Sequence, residues 1–181
     1  MCDIISEENV ICVASPKGRG TQLNEGFKRS QGEILLFLHA DTIISPGAFY
    51  ILEDWFQKEN IQVGKFSLKF DQNHWLLSLY AALSKFDSFW TSFGDQGIIV
   101  RRSFFEGIGG FPEWPLLEDV QFFQKSRKET KIHTLPINAT TSAEKFARNG
   151  FLKQQIFNGV ILFKYLLGYS VHDLSLQYEK R

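Results

Sequence analysis

Short apolar runs and amphipathic segments alternate along the first third of the chain. Residues 10–14 are apolar and rich in β-branched side chains, and residues 34–38 are apolar at every position, so we predict a buried strand at each. Residues 21–30 place apolar side chains on one face and are followed by a glycine, which predicts a helix. Ser45-Pro46 is typical of the start of a second helix. The alternation predicts an α/β, Rossmann-like fold with a mostly parallel sheet flanked by helices.

The rest of the chain continues this alternation and ends in helices. Residues 63–70 alternate polar and apolar side chains, which indicates an edge or half-exposed strand. Further strands are predicted at residues 97–100 and 131–135, and helices at residues 75–86, 103–108, 117–128, 149–167 and 171–178. The first of these helices carries an apolar stripe that we interpret as core, formed by Trp75, Leu76, Leu79, Tyr80, Leu83 and Phe86. With no linker or repeat, we expect one domain over residues 1–181 whose residues 149–181 form a C-terminal helical segment.

Composition argues against several classes of protein. Twenty basic and twenty acidic side chains cancel, so the excess of positive charge that nucleic-acid binding requires is missing. Cys2 and Cys12 match no zinc-binding spacing, and the first residues lack the pattern of a signal peptide, which predicts a cytoplasmic protein. The basic, aromatic C-terminal stretch is compatible with a peripheral contact at the inner membrane face, with internal packing or with a dimer contact.

Two segments in the first quarter of the chain carry candidate ligands for phosphate and metal. His39-Ala40-Asp41 follows the second apolar strand, and ligands of open α/β sheets bind beyond the carboxyl ends of strands. Asp41 either holds a divalent cation that also binds a diphosphate or caps the next turn. The glycine-containing loop at residues 17–20 carries Lys17 and Arg19 in front of a helix, which favours phosphate binding. A solvated basic loop has the same composition.

Two carboxylate-containing segments follow in the second half. Glu118 and Asp119 lie at the start of a predicted helix, where they either complement the helix dipole or supply a general base that deprotonates a hydroxyl. Gly94-Asp95-Gln96 enters a strand from a loop and offers a further carboxylate, and a simple turn would have the same sequence.

The order of these motifs resembles the family 2 glycosyltransferases with the GT-A fold, and within them a small bacterial branch found beside radical-SAM and arsenosugar genes. The resemblance runs from about Val10 to the C-terminus. It rests on an ordered set of motifs: Lys17-Gly18-Arg19, Asn24, Leu36-Phe37-Leu38-His39-Ala40-Asp41-Thr42, Gly94-Asp95-Gln96, Gly109-Gly110-Phe111-Pro112 and Leu117-Glu118-Asp119-Val120.

The resemblance implies a role for each motif. It implies that Asp41 binds Mg²⁺ or Mn²⁺ in an Asp-x-Asp-type motif whose first position is His39 here. It implies that Asp119 is the catalytic base, with Glu118 as its neighbour. The donor-binding candidates are Lys17, Arg19, Asn24, His39 and Ala40, and the acceptor-side candidates are Asp95 and Gln96. The implied reaction is an inverting transfer from a nucleotide-diphosphate sugar to an acceptor hydroxyl.

The beginning of the sequence departs from the family pattern. The family opens with a strand ending in Pro-x-x-Asn-Glu, a helix and a strand ending in Asp-Gly-Ser, and the residues before Val10 match none of these. We therefore expect that the first βαβ unit of the family domain is missing. Two alternatives to an active transferase stay open: a truncated, inactive relative that acts as a binding or membrane-surface module, and a nucleotidyltransferase of similar fold.

Overall fold

The computed structural model describes residues 10–58 and 60–180; Cys2 lies outside these ranges. The helices are α1 (Arg19–Arg29), α2 (Ala48–Lys58), α3 (Trp75–Leu83), α4 (Arg102–Gly107), α5 (Glu118–Glu129), α6 (Glu144–Asn149), α7 (Phe151–Leu166) and α8 (Val171–Glu179). The strands are β1 (Ile34–Phe37), β2 (Thr42–Ile44), β3 (Val63–Phe70), β4 (Ile98–Arg101) and β5 (Ile132–Thr141), and a short 3-10 helix (Gly94–Gln96) precedes β4. None of the described helices is long and apolar enough to cross a membrane.

The five strands form one mixed sheet in the order β1-β4-β3-β5-β2. Strand β3 pairs in parallel with β5, and the β1–β4, β3–β4 and β2–β5 pairs are antiparallel. The α/β class with flanking helices is confirmed, but pairing within the described sheet is mainly antiparallel rather than mainly parallel. A continuous apolar run indicates that a strand is covered on both faces, but it does not indicate the direction of the neighbouring strand. Antiparallel strands between two helical layers show the same pattern as parallel ones.

Helices cover both faces of the sheet. On one face, α1, α4 and α5 pack an aromatic cluster against β1 and β4, and its phenylalanines are Phe27, Phe37, Phe104, Phe105, Phe111, Phe122 and Phe123. On the other face, α2 packs through Leu52 and Phe56 against β3 and β5. The C-terminal helices α7 and α8 pack beside the start of α5, where Leu117, Ile161 and Leu174 meet. The predicted C-terminal helical segment is therefore present and contacts the end of α5 that carries Glu118 and Asp119.

The position of β3 in the sheet differs from the sequence prediction. Strand β3 was expected to be an edge or half-exposed strand, but it is central, and all but one of its residues are buried. Its polar side chains have partners inside the protein: the Lys65 ammonium donates to the Ser84 carbonyl oxygen (2.7 Å), to Ser92 Oγ (2.9 Å) and to Gln96 Oε1 (3.3 Å). Alternating polar residues indicate a solvent-exposed strand face only when they have no partner inside the protein. The partners of Lys65 lie up to 31 positions away in the sequence.

The first predicted strand is not formed. Residues 10–16 have no regular structure, and the side chains of Val10 and Ile11 are exposed. Strand β1 lies at the edge of the described sheet, and of its four residues only Leu35 is fully buried. A strand needs a neighbouring strand for its backbone N–H and C=O groups, so apolar sequence alone does not make one.

The apolar stripe of α3 is also placed differently from the prediction. The side chains of Trp75, Leu79, Leu83 and Phe86 are exposed, whereas Leu77 is the buried residue of this helix. The helix packs through Leu77 against Leu68, Phe70 and Ala143, so its buried face is rotated from the longest apolar stripe. The interpretation of that stripe as core was wrong for its four exposed residues, whereas Leu76 is half-buried and Tyr80 packs against the buried cluster.

Buried Lys65 generates a prediction about stability. Its pKa is lowered to about 8, mainly by burial, and the charged form is held by the oxygens of the segment between α3 and β4. Lys65→Met would remove the charged donor that these buried oxygens share, so we expect a loss of about 3 kcal/mol in the free energy of unfolding, measured by urea denaturation at pH 7.

The matched control is Lys69→Met on the same strand, because Lys69 is exposed. It should change the free energy of unfolding by less than about 0.5 kcal/mol. Equal losses in the two variants would show that the buried contacts of Lys65 do not stabilise the fold.

Candidate functional site

A cavity of about 390 Å³ lies where the chain leaves β1, where the 3-10 helix enters β4 and where α5 begins. Its polar lining includes the side chains of Arg19, His39, Asp41, Asp95 and Asp119. The structure thus brings together residues from four segments that are spread over 100 positions of the sequence. Three carboxylates and one guanidinium facing a shared cavity form a site suited to an anionic or hydroxyl-rich ligand.

Asp119 is fixed in place by the backbone. It lies in the first turn of α5, its Oδ2 accepts a hydrogen bond from the Gly94 N–H (2.6 Å), and its Oδ1 accepts one from the Val120 N–H (2.8 Å). Leu117, just before the helix, has a φ of 62° and is the non-glycine residue with a positive φ in the described part of the chain. Such a conformation is strained for a bulky residue and often marks a functional site.

Glu118 is fully buried and faces Arg19 rather than solvent. The Arg19 Nε lies 3.0 Å from Glu118 Oε1, an ion pair by distance without the alignment of a hydrogen bond, since neither Glu118 oxygen accepts one from the described residues. Burial, and next the charge of Asp119, raise the pKa of Glu118 to about 7, while Arg19 works against this. Burial also acts to lower the pKa of Arg19, but Glu118 and Asp119 outweigh it, so the guanidinium keeps its charge.

His39 completes the surroundings of Arg19. An Arg19 Nη donates to His39 Nε2 at 2.5 Å, which requires an imidazole without a proton on that nitrogen. Burial and the neighbouring guanidinium lower the pKa of His39, in keeping with a neutral ring. Arg19 is therefore held from two sides, by an acid and by a neutral ring nitrogen, and the guanidinium lies at the cavity wall.

Asp95 is the second acid of the cavity with a shifted pKa. Its Oδ1 is buried and has no hydrogen-bond partner among the described residues. Burial, and next the charge of Asp119, raise its pKa to about 7, and Arg19 only partly offsets this. The Tyr80 hydroxyl interacts with Asp95 and has its own pKa raised well above the usual value, mainly by burial. Near neutral pH this carboxyl group exists in both protonation states.

A close backbone approach sets the position of Arg19. Gly20, the next residue, lies so near the loop before α5 that an added Cβ would lie 1.9 Å from the Pro112 carbonyl oxygen. The Gly20 N–H also donates to the Trp114 carbonyl oxygen (3.2 Å). Glycine is therefore required here for contact between α1 and this loop, rather than for contact with a phosphate.

The comparisons with known proteins agree with this architecture. Residues 2–110, more than half of the chain, match the family model described as glycosyl transferase family 2. The chain belongs to glycosyl transferase family 2. The crystal structure of residues 1–349 of S. aureus TarS is similar, with a TM-score of 0.56 and 16% sequence identity, over 80% of this chain and 43% of that one. This chain thus spans less than half of the TarS chain, and no curated protein matches it significantly.

The similarity to TarS confirms the expected GT-A-like architecture of this family 2 member. At this level of identity the similarity concerns the fold. The roles of individual residues therefore depend on the geometry of this chain.

The structure separates two predicted donor-binding residues from the cavity. Asn24 Nδ2 donates to the Phe111 carbonyl oxygen (2.9 Å), and Asn24 Oδ1 accepts from the Phe111 N–H (3.2 Å), so the amide ties α1 to the Gly-Gly-Phe-Pro loop. Lys17 points outward and pairs with Glu179 of α8 at 2.8 Å. Neither side chain lines the cavity.

Two further predicted residues lie close to the cavity without facing it. Ala40 is exposed in the turn between β1 and β2. Gln96, expected on the acceptor side, is fully buried: its Nε2 donates to the Ser84 carbonyl oxygen (2.9 Å) and its Oε1 accepts from Lys65. Gln96 therefore supports the 3-10 helix that carries Asp95.

The residues present can contribute little more than one ligand to a divalent cation. The described side chains include no group of three His, Cys, Asp or Glu that could hold a metal ion, and His39 Nε2 is occupied by Arg19. Asp41 is exposed at the cavity rim. This donor set fits a cation such as Mg²⁺ that is bound through one carboxylate and takes its other ligands from phosphate and water.

Sequence reasoning missed one whole wall of the cavity. Lys145 of α6 and the amides Gln154, Gln155 and Asn158 of α7 line it, and Gln154 Nε2 donates to Asn158 Oδ1 (2.8 Å). The available signal was the group of amides at positions 154, 155 and 158 within a mostly apolar helix. One face of an amphipathic helix carries such a group where it borders a polar cavity.

The raised pKa of Asp95 predicts how stability changes with pH. A folded-state pKa near 7, against 3.8 for the free side chain, means that the folded protein retains a proton which the unfolded chain releases. This group therefore lowers stability progressively as pH rises from about 4 to 7. Asp95→Asn removes the penalty, so we expect the variant to be more stable than the parent by roughly 1–3 kcal/mol above pH 7.

Thermal melts of both proteins between pH 5 and pH 8 check this, with buffers matched in ionic strength. The difference in melting temperature should grow towards pH 7 and then level off. Asp173→Asn serves as control, because Asp173 is an exposed acid of α8. A difference that is constant with pH, or that favours the parent at high pH, would contradict the raised pKa.

Proposed function

We propose that this protein transfers a sugar from a nucleotide-diphosphate sugar to an acceptor hydroxyl, with inversion at the anomeric carbon. The observation that carries the proposal is the position of Asp119: its carboxylate is held by two backbone N–H groups at a cavity that Arg19 also lines. Membership of glycosyl transferase family 2 supplies the class of reaction. The narrower resemblance to the radical-SAM and arsenosugar branch stays a prediction.

In the proposed reaction Asp119 acts as general base. Each of its oxygens accepts one backbone hydrogen bond, which leaves a lone pair for the acceptor hydroxyl. As the acceptor oxygen attacks the anomeric carbon, its proton passes to Asp119, and the bond from that carbon to the diphosphate oxygen breaks. A single displacement of this kind inverts the configuration of the sugar.

The donor side of the site is proposed at Arg19, His39 and Asp41. The Arg19 guanidinium, fixed by Glu118 and His39, offers a preorganised cation to the diphosphate, whose negative charge grows as it departs. Asp41 would hold Mg²⁺ or Mn²⁺ at the rim, and such an ion neutralises the leaving diphosphate when bound. Glu118 serves as a positioning residue for Arg19, because Glu118 is fully buried and pairs with the guanidinium.

The acceptor side is proposed at Asp95 and the amide-lined wall of α7. A carboxyl group with a pKa of about 7 donates a hydrogen bond when protonated and accepts one when ionised, and both suit a hydroxyl-bearing acceptor. Gln154, Gln155 and Asn158 add side-chain amides on the same cavity, as expected for a site that binds a hydroxyl-rich molecule. Gln96 contributes by holding the segment of Asp95.

Independently of the reaction, we propose a cytoplasmic location, with a peripheral contact at the inner membrane face or a dimer contact through the C-terminal helices. Several apolar side chains of α7 are exposed, which supports a contact of one of these kinds.

The first test changes the base. Asp119→Asn keeps the size of the side chain but removes its basicity, so turnover should fall by about 10²–10⁴-fold while binding of the donor persists. Release of nucleoside diphosphate from a panel of nucleotide-sugars measures turnover, and calorimetry measures donor binding. Asp173→Asn, an exposed acid, is the control and should leave turnover unchanged. An Asp119→Asn variant within about threefold of the parent would exclude Asp119 as the base.

The second test changes the proposed metal ligand. Asp41→Ala should abolish the dependence of nucleoside diphosphate binding on Mn²⁺, because Asp41 is the carboxylate at the rim that suits the cation. Calorimetric titration of a nucleoside diphosphate, with Mn²⁺ and with a chelator, measures this dependence. Asp173→Ala is the matched control. Unchanged Mn²⁺ dependence in Asp41→Ala would remove this residue from the site.

A further inference from the structure

Helix α7 has two faces of opposite character. One face lines the cavity and packs on the protein through Gln154, Ile161 and Leu162, which are buried. The other face carries apolar side chains that are each between 42% and 61% exposed: Leu152, Ile156, Val160, Phe163 and, just past the helix, Leu167. These positions follow one another at intervals of three or four, so they form a single stripe along the helix. We call these five residues the α7 stripe.

The α7 stripe is more than the usual scatter of exposed apolar residues. Single exposed apolar side chains are common on soluble proteins, but a continuous apolar row along the whole exposed side of a helix marks a surface that is covered in use. The described residues supply no cover for it.

The charges around the α7 stripe point to an anionic partner. Residues 145–172 contain four cations, Lys145, Arg148, Lys153 and Lys164, and no Asp or Glu. At about 100° per residue, Lys153 and Lys164 lie along the same edge of the stripe. An apolar helix face bordered by lysines is the pattern of helices that lie in the plane of a membrane interface.

We infer that α7 docks on an anionic bilayer, with the α7 stripe inserted at the boundary between headgroups and acyl chains. Exposed Lys153 lies beside the stripe and extends towards lipid phosphates, as long cationic side chains do at such boundaries. The Lys164 ammonium donates to Gln177 Oε1 of α8 (2.7 Å) and adds its charge to the same edge. The helix then serves two purposes with its two faces, since Gln155 and Asn158 on the inner side line the cavity. This docking does not depend on the proposed glycosyl transfer, because it involves other side chains.

Charge also decides between a bilayer and a second copy of the chain. A two-fold symmetric contact places the same patch against itself, so α7 would meet another α7 with its cations and no acid between them. Such a juxtaposition of like charges disfavours association, whereas anionic headgroups neutralise the same cations.

The test is cosedimentation of the whole chain with vesicles made of equal parts phosphatidylcholine and phosphatidylglycerol. We expect the parent protein to bind, and Ile156→Gln with Phe163→Gln to lower the partition coefficient by at least about tenfold, because two apolar side chains lose their place in the bilayer. The matched control is Phe49→Gln with Tyr50→Gln on α2, where two other exposed aromatic side chains are replaced; its binding should equal that of the parent.

A second variant tests the charges. Arg148→Gln with Lys153→Gln removes two exposed cations, and the partition coefficient should fall by about fivefold for each. The effect should disappear with vesicles of phosphatidylcholine alone and shrink at high salt. Thermal melts of all variants confirm that they are folded.

Three results would overturn the inference. The parent protein could remain in the supernatant with anionic vesicles. The α2 control could lose as much binding as the α7 variant, which would indicate unspecific adhesion. Sedimentation equilibrium could reveal a dimer that Ile156→Gln with Phe163→Gln dissociates, which would make a second copy the partner of the α7 stripe.

Discussion

The ion pair between Arg19 and Glu118 is the interaction on which the candidate site depends. Glu118 is completely buried, and Asp119 lies close enough to raise its pKa further, as it also does for Asp95. Buried acids of like charge repel strongly at low dielectric. One guanidinium offsets this repulsion. It can do so only because Gly20 allows the start of α1 to approach the loop before α5. The close packing at Gly20 and the neutralisation of Glu118 by Arg19 therefore depend on each other.

A buried cation supports the segment that carries Asp95. Lys65 reaches from the central strand to Ser84, Ser92 and Gln96, and the segment that it fixes includes Gly94, whose N–H orients Asp119. This arrangement places several energetically unfavourable features at or near the site. They are a carboxyl group with a pKa of about 7, a lysine with a lowered pKa and a strained residue before α5. Functional sites commonly hold such unfavourable features, which the rest of the fold must outweigh.

Local sequence signals determined most of the helices and strands. The Gly109-Gly110 pair after α4 has positive φ at both residues, and the helices α1, α4, α5 and α8 begin within two residues of their predicted starts. Hydrophobic periodicity and the residues that begin or end a helix act over one turn or one strand. A short stretch of sequence is therefore enough to predict the element. The ordered motifs likewise identified the family, and three of the acids in them, Asp41, Asp95 and Asp119, line one cavity in the structure.

Tertiary structure decided what no local stretch contains. The partners of Lys65 lie 19 to 31 positions away, so a central strand looked like an edge strand. Asn24 is one of the family motif residues, yet its side-chain amide hydrogen-bonds the backbone of Phe111, 87 positions further along the chain. The exposure of the α7 stripe depends on which side of α7 meets the cavity. Sequence by itself determined most of the helices and strands and the candidate acids of the site. Long-range pairing decided burial and pKa, because both depend on neighbours distant in sequence.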